Sequence, residues 1–340
     1  MGSTIKDIAR LANVSKATVS RVINNKSEGV GEETKQKILR IIEELNYRPS
    51  LLARGLVTKR THSLGLIIPD ITNPFFPQLA RGAEDTAAKH GYSLFLCNSD
   101  NSPEKEQRYI EAFIEKRIDG VMLASSISKS AIQSQIQLLK SVDIPFTLLD
   151  RYLEGSEPET GVFLDNQAGA YQATDYLLKN GHRRIVFVAG PLGVMTSWYR
   201  FQGFQMAHYD NGVEIDYSLV MEGDYQLSSG KELVERLIEA ELEFTAIFAG
   251  NDMMAIGALK ALQSRGIKIP ETVEVIGFDN IELSSLVEPA LTTVAQPTYE
   301  MGVKGAQMLI RVIEGEGIPE RNVYLKPELL FRATTRHPVG

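Results

Sequence analysis

The sequence predicts a small all-α head followed by an α/β body of two doubly wound, parallel-sheet lobes. Three observations carry this. Apolar residues recur at helical spacing over residues 5–12, 19–23 and 38–45. From residue 61 onward, short apolar and β-branched runs alternate with amphipathic helical stretches. The charge also divides. Residues 1–60 hold 12 Lys+Arg against 6 Asp+Glu and the rest 24 against 37, which sets a head of net +6 on a body of net −13.

Thr4 and Asp7 mark the first helix. Their spacing is that of a capping box, in which a hydroxyl and a carboxylate each satisfy a backbone N–H at the helix start. Ile5, Ile8, Ala9 and Ala12 then form one apolar stripe. Asn13 suits the turn because Asn tolerates the left-handed conformation, and Ser15 suits the N-cap of the next helix. On that second helix Val19, Val22 and Ile23 point inward and leave Lys16, Ala17, Ser20, Arg21 and Asn24 outside. A third helix follows, with Ile38, Ile41, Ile42 and Leu45 on one side. Three short helices around one small core, the first two joined by a tight turn, make a helix-turn-helix unit, whose second helix is shaped for the major groove of DNA. The charge division fits, because only the head would meet phosphates; a plain helical bundle has no need of it.

The next stretch, residues 49–60, is expected to be a hinge helix. Pro49 or Ser50 opens it, and Leu52, Ala53 and Leu56 share one side. About two turns of helix are marginal in water, and Gly55 weakens them further. The segment should therefore order only against a partner, and a leucine there suits a wedge in the minor groove. The expected division is head 1–48, hinge 49–60 and body 61–340.

These residues carry a resemblance. Thr4 to Asn24, Asn46-Tyr47-Arg48-Pro49 and Ala53-Arg54-Gly55-Leu56 resemble the head and hinge of the LacI/GalR family of bacterial transcription repressors. The likeness continues through Leu64-Gly65-Leu66-Ile67-Ile68-Pro69, Asn73-Pro74-Phe75-Phe76 and Gly181-His182-Arg183-Arg184-Ile185. It ends with Asn251-Asp252, Gly277-Phe278-Asp279 and Leu291-Thr292-Thr293-Val294, so it spans the chain in order. The resemblance implies that Lys16, Ala17 and Arg21 read base edges, with Arg21 suited to a bidentate contact with guanine and Ala17 offering only a methyl. It also implies that Thr4, Ser15, Thr18, Asn24 and Tyr47 hold phosphates, and that Ala53 and Leu56 enter the minor groove. One departure is Gly31, where many members carry Ser before the third helix; glycine remains an acceptable N-cap.

In the body, strands are expected at 64–69, 92–97, 120–124, 146–150, 161–164, 184–189, 218–223, 245–249, 273–278 and 323–332. Helices include 76–90, 104–116, 167–180, 200–211, 228–239, 252–265 and 298–314. About 280 residues are comfortable for two lobes, and Leu64 to Phe76 and Arg184 to Trp198 both run strand, loop, helix. The resemblance adds a fold of the periplasmic-binding-protein type in which the chain crosses between lobes near 165, 297 and 328. The N-lobe is then about 61–164 with 297–327, and the C-lobe about 165–296 with 328–340.

Ligands of open α/β sheets sit beyond the carboxyl ends of the strands. Asn73, Phe75, Phe76, Asp150, Arg151, Asn251 and Asp279 follow strands directly, Gln296 lies at a crossing, and Arg200 stands near a helix start after Gly190-Pro191-Leu192-Gly193. Carboxylates, amides and arginines hydrogen-bond hydroxyls, and Phe rings cover the apolar face of a sugar. Tyr225 and Trp198, the single Trp, join the set near the expected cleft. Each has a blander alternative: Phe75 or Phe76 as core, Asp252 as a helix cap, Asp150-Arg151 as a surface ion pair. As a set matching family binding positions, they imply a small-molecule effector. Asp150-Arg151, Asn73 to Phe76 and Gly277 to Asp279 look most like the ribose-binding branch, so a ribose-like monosaccharide is expected. The alternatives are a catabolite-type regulator controlled by a phosphorylated carrier protein and, behind it, a sugar-acting enzyme with the basic head as an accessory.

Other chemistry is sparse. Cys97 is the single cysteine, which excludes intramolecular disulfides and fits a reducing cytoplasm. The five histidines include no i, i+4 pair, and His182 reads as structural. There is no nucleophile elbow or P-loop, so no catalytic residue, metal or cofactor is expected. No apolar run approaches membrane length and no leader peptide is read, which speaks against a transport protein. The partners expected are palindromic operator DNA, a monosaccharide and a second copy of the chain.

Overall fold

The computed structural model describes residues 4–23, 28–47, 60–124, 129–151 and 159–336. Asn24 and the hinge candidates Ala53 and Leu56 lie outside the described residues. The chain divides into two compact units, Met1–Thr61 and His62–Gly340.

In the first unit, helices α1 (Ile5–Ala12), α2 (Lys16–Ile23) and α3 (Glu32–Glu44) surround Ile8, Ala9, Ala12, Val19, Val22 and Ile38. The Asp7 carboxylate accepts the Thr4 N–H at 2.9 Å and the Thr4 hydroxyl at 2.6 Å. Asn13 takes the left-handed conformation at φ 58°, and Ser15 Oγ accepts the Thr18 N–H at 3.1 Å. Gly31 opens α3 in an extended conformation with no side-chain cap. That helix ends in a Schellman motif. Asn46 turns left-handed at φ 45° while Tyr47 and Asn46 donate to the carbonyls of Ile42 and Glu43 at 2.9 and 3.0 Å.

The second unit runs β1 (Ser63–Ile68), α4 (Phe75–Lys89), β2 (Ser93–Asn98), α5 (Pro103–Glu115), β3 (Gly120–Leu123), α6 (Lys129–Ser141), β4 (Phe146–Leu149) and β5 (Gly161–Leu164). It continues with α7 (Asn166–Lys179), β6 (Ile185–Ala189), α8 (Met195–Asp210), β7 (Val220–Glu222), α9 (Leu227–Glu239), β8 (Ala246–Ala249), α10 (Asp252–Ser264), β9 (Glu274–Asp279) and α11 (Glu282–Leu286). The last elements are β10 (Thr292–Ala295), α12 (Thr298–Glu314), β11 (Asn322–Leu325) and β12 (Glu328–Leu330). Two six-stranded sheets result, ordered β11-β5-β4-β3-β1-β2 and β12-β10-β9-β8-β6-β7. All pairings are parallel except that of β12 with β10. We call the two layers the N-lobe and the C-lobe. β1, β3 and β9 are buried almost end to end, as strands covered on both faces must be.

Three differences from the sequence reading have physical causes. The run 323–332 is two strands in two sheets, because Pro327 has no N–H to give and breaks the ladder. The helix read as 200–211 begins at Met195, where no side chain caps the start and so no signal marks it. β10 is an additional strand whose residues had stood out only as a motif.

The chain passes between sheets at Asp165, at Gln296-Pro297 and at Lys326-Pro327. Helix α12, after the second crossing, packs on α4 of the N-lobe so closely that a Cβ on Gly82 would lie 2.1 Å from the Tyr299 carbonyl oxygen. In return, a Cβ on Gly302 would meet the Leu79 carbonyl oxygen at the same distance. Glycine at both contacts lets the helix join the lobe backbone to backbone.

Candidate functional sites

On the head, Lys16, Ala17 and Arg21 of α2 are exposed on the side opposite buried Val19 and Val22. Ser15 is exposed at the N-terminus of the same helix, and Thr18 is half-buried with its hydroxyl 2.9 Å from that of Ser15. Thr4 is exposed at the start of α1. Tyr47 is half-buried against the head core, so its ring also packs. The 3.6-residue repeat produces this division: one face is consumed by the core and the other is left polar and basic.

In the body, a cleft lies between the carboxyl ends of the two sheets. Asn73, Phe75, Phe76, Asp150, Arg151, Arg200, Tyr225, Asp279 and Gln296 line it, together with Pro69, Asp70, Asn101, Thr196, Asp224 and Gln226. Phe75 and Phe76 sit edge to face with ring centres 5.0 Å apart at the start of α4. Asn73 Oδ1 accepts the Phe75 N–H at 3.1 Å and fixes that turn. Asp70 accepts both the Thr72 N–H and hydroxyl on one oxygen and the Gln226 amide on the other, at 2.9 Å across the two lobes.

Arg200 is the most heavily held cationic group of the cleft. Its Nε donates to Asn166 Oδ1 at 2.8 Å, its Nη1 donates to the Gly250 carbonyl, and its guanidinium carbon stands 3.8 Å from the centre of the Phe278 ring. Nη1 also lies 3.7 Å from Asp279 Oδ1, which accepts the Gln296 amide at 2.6 Å. Asp279 has φ 116° and the following Asn280 has φ 58°, so the strand end is turned sharply to present the carboxylate. Burial raises the Asp279 pKa to about 7 against the opposing pull of Arg200 and Gln296, with Asp150 adding to the rise. Burial also pushes Asp150 up, opposed by Arg151 and Arg200. The Asp150-Arg151 pair is buried, with Nε 3.8 Å from Oδ2, rather than a surface ion pair.

Several buried atoms of this wall have no protein hydrogen-bond partner: Asp150 Oδ1, Arg151 Nε and Nη1, Tyr225 Oη and Gln296 Oε1. Buried polar groups need partners; Asp150, Arg151 and Gln296 line the cleft with such atoms, whereas the Tyr225 ring tip lies against Gly190 in the C-lobe.

Two of the expected contacts are absent from the lining. Trp198 stands two residues from both Thr196 and Arg200, which share one face of α8 at i, i+4. That spacing turns the indole away, toward Phe201 at 5.9 Å between ring centres. Asn251 spends its amide inside the protein. Oδ1 accepts the Met254 N–H and Nδ2 donates to the Tyr225 carbonyl, both at 2.9 Å. Asn251, not Asp252, is therefore the cap of α10, and it steadies Tyr225, whose φ is 70°. Asp252 is buried beneath the cleft, where it accepts the Ile281 N–H at 2.9 Å and the Thr293 hydroxyl at 2.6 Å. Asp70, Asn101 and Asp224 were missed, although they follow β1, β2 and β7; the strand-end rule applied to every strand finds them.

Among the described residues, no cluster of His, Cys, Asp and Glu could hold a metal ion, and no helix is long and apolar enough to cross a membrane.

Comparisons with known proteins match two segments of the chain separately. Residues 4–50 match the model of the bacterial regulatory proteins of the lacI family, and residues 61–330 match that of the periplasmic binding proteins and sugar binding domain of the LacI family. The chain is 38% identical to the ribose operon repressor of Halalkalibacterium halodurans over 98% of its own length and 97% of that protein. It is also 38% identical to catabolite control protein A of Priestia megaterium, over 99% of its length and 100% of that protein. A LacI family transcriptional regulator from Enterococcus faecium, solved with bound ribose, superposes with a TM-score of 0.70 at 30% identity, covering 80% of this chain and 98% of that one.

Proposed function

We propose that this chain, which belongs to the LacI family of bacterial regulatory proteins, acts as a dimer on operator DNA under the control of a ribose-like monosaccharide held between its lobes. Membership carries the coarser statement by itself: the chain is a DNA-binding transcriptional repressor with a sugar-binding domain, and it is not an enzyme.

The observation that carries the effector reading is the set of unpartnered buried atoms on Asp150, Arg151 and Gln296, residues that line the cleft beside the Phe75-Phe76 pair. Hydroxyls can supply all of those partners at once. A carrier protein docked on the outer surface would leave them unmet, so a small neutral sugar is the favoured effector. The relatives named for ribose or holding it support the choice of pentose.

Dimerisation is supported by two apolar patches. Phe95 and Leu96 are 51% and 43% exposed on β2, an edge strand of the N-lobe sheet, and Leu283 and Leu286 are exposed on α11 of the C-lobe. An apolar sheet edge needs covering, and a second copy would cover it while presenting two heads to a palindromic site. Lys16, Ala17 and Arg21 would read bases, Thr4, Ser15, Thr18, Asn24 and Tyr47 would hold phosphates, and Ala53 and Leu56 would enter the minor groove. Such a role places the protein in the cytoplasm. The sugar changes DNA affinity only as far as it binds one lobe arrangement better than the other.

Thermal unfolding of the full chain against a panel of pentoses and hexoses tests the effector reading, since a ligand of the native state raises Tm. D-ribose should give one of the largest shifts. A panel in which no sugar raises Tm overturns the reading.

A further inference from the structure

We infer that Asn166 is a positioning residue that ties Arg200 to the first crossing between the lobes; this rests on the reading of the cleft as an effector site. Asn166 opens α7, one position past the crossing at Asp165, and is 3% exposed. Both ends of its amide are used. Oδ1 accepts the Arg200 Nε–H at 2.8 Å, and Nδ2 donates to the carbonyl of Leu164 at 3.3 Å. Leu164 ends β5 in the N-lobe sheet, whereas Arg200 sits on α8, which packs with α7 on the C-lobe. One side chain therefore spans the joint.

Helix capping does not account for this residue. Asp165 already caps α7 by accepting the Ala168 N–H at 2.9 Å. A buried amide freed from capping and aimed at a guanidinium has Arg200 as its object, and hydrogen bonds to charged groups are the strong ones. The C-lobe holds the other side of Arg200 through the Gly250 carbonyl, Asp279 and the Phe278 ring.

The second crossing repeats the arrangement. Gln296 donates to Asp279 Oδ1 at 2.6 Å, while its own carbonyl accepts the Thr298 N–H at 2.8 Å and the Thr298 hydroxyl at 3.3 Å at the start of α12. The cation and the carboxylate that face the cleft from the C-lobe are thus each bonded to a residue at a different crossing. A sugar that draws Arg200 and Asp279 toward its hydroxyls loads two of the three joints directly.

The test uses the full chain, D-ribose as probe, and the variants Asn166→Ala and Asn166→Asp. The aspartate keeps an oxygen for Arg200 and loses the donor to Leu164. Affinity is read by calorimetry, and amide hydrogen exchange is read over residues 160–172 and 196–204 with and without ribose. Asn166→Ala should weaken ribose binding about tenfold, and Asn166→Asp should stay within about threefold of the parent. In Asn166→Asp, ribose should still slow exchange over 196–204 and no longer slow it over 160–172. Equal loss of affinity in the two variants, or wild-type behaviour in both, overturns the inference. A parent chain that ribose leaves unaltered would sink the ribose reading alone. The positioning role is then decided without ligand: exchange over 196–204 at least about tenfold faster in Asn166→Ala than in Asn166→Asp supports it, and equal rates reject it.

Discussion

Gln226 of the C-lobe donates its amide to the Asp70 carboxylate of the N-lobe at 2.9 Å, across the mouth of the cleft. Asp70 is itself held by Thr72 and Gln226 by the Asp224 carboxylate, so the pair meets with both sides preset. This is a latch, and a charge-assisted hydrogen bond of this kind contributes roughly 1.5 kcal/mol. Gln226→Ala and Asp70→Asn should each speed sugar release about tenfold, as read by stopped-flow fluorescence. The double variant should be no worse than either single one. Additive losses would mean that the two residues act on the sugar separately and not on each other.

Asp279 makes both folding and binding depend on pH. Its folded pKa is about 7, raised chiefly by burial from the ordinary aspartate value of 3.8. Between about pH 4 and 7 the folded state keeps a proton that the unfolded state has lost, so stability falls as pH rises through that window. Asp150 and Asp252 are raised by the same cause and act with the same sign. Asp279→Asn should flatten part of that slope in denaturant titrations. Sugar hydroxyls donate to the ionised form, so affinity should rise with pH toward and through 7, with a proton released on binding. Calorimetry in two buffers of different ionisation heat counts that proton. An unchanged pH profile of affinity in Asp279→Asn would remove the carboxylate from the site.

The head and the strands were legible because periodicity records burial directly. Ile8, Ala12, Val19, Val22 and Ile38 repeat at helical spacing because one face must be dry. The strand-end rule reached Asp150 and Asp279 because parallel sheets put their carboxyl ends together. What escaped has equally definite causes. Trp198 was placed in the cleft by proximity in sequence, whereas helix geometry decides its face. Asn251 has the right composition for a ligand contact, but its amide is consumed by Met254 and Tyr225. Gln226 and Asn166 carry no periodic signal, since their roles arise only when two lobes meet. The Pro327 break was hidden inside an apolar run, where only the chain's change of sheet reveals it.

The base contact proposed for Arg21 can be told apart from phosphate holding. Arg21 is exposed on α2 among groups that cannot replace a bidentate fork. Arg21→Ala should weaken binding to the selected operator by about 1–3 kcal/mol and relax the preference at one base pair. Binding to random duplex should fall far less. Thr18→Ala, at a proposed phosphate contact, is the comparison, with losses spread over more sequences. Operator selection from a random pool, followed by gel shift at fixed salt, reads both. Parallel losses on operator and random DNA in Arg21→Ala would assign it to phosphates.

Asp252 lies under the cleft floor, and its chemistry can be tested through an isostere. Its pKa is raised well above the ordinary aspartate range, chiefly by burial and next by Asp279, against hydrogen bonds from Thr293 and the Ile281 backbone. Gly277 leaves room for it, since a Cβ there would stand 2.2 Å from Asp252 Oδ1. Burial disfavours the charge on this carboxyl, so an uncharged amide of the same shape can replace it. Asn in this place keeps an oxygen for the Ile281 N–H, and the Thr293 hydroxyl can rotate to accept from the new amide. Asp252→Asn should therefore lie within about 1 kcal/mol of the parent in denaturant unfolding. Asp252→Ala leaves the Ile281 N–H and the Thr293 hydroxyl buried without a partner and should cost about 2–4 kcal/mol. It should also loosen the Asp279-Asn280 turn, since Thr293 Oγ1 accepts the Asn280 N–H at 3.3 Å, so sugar affinity should fall with stability. Equal destabilisation by Asn and Ala would show that the negative charge itself is needed at this position.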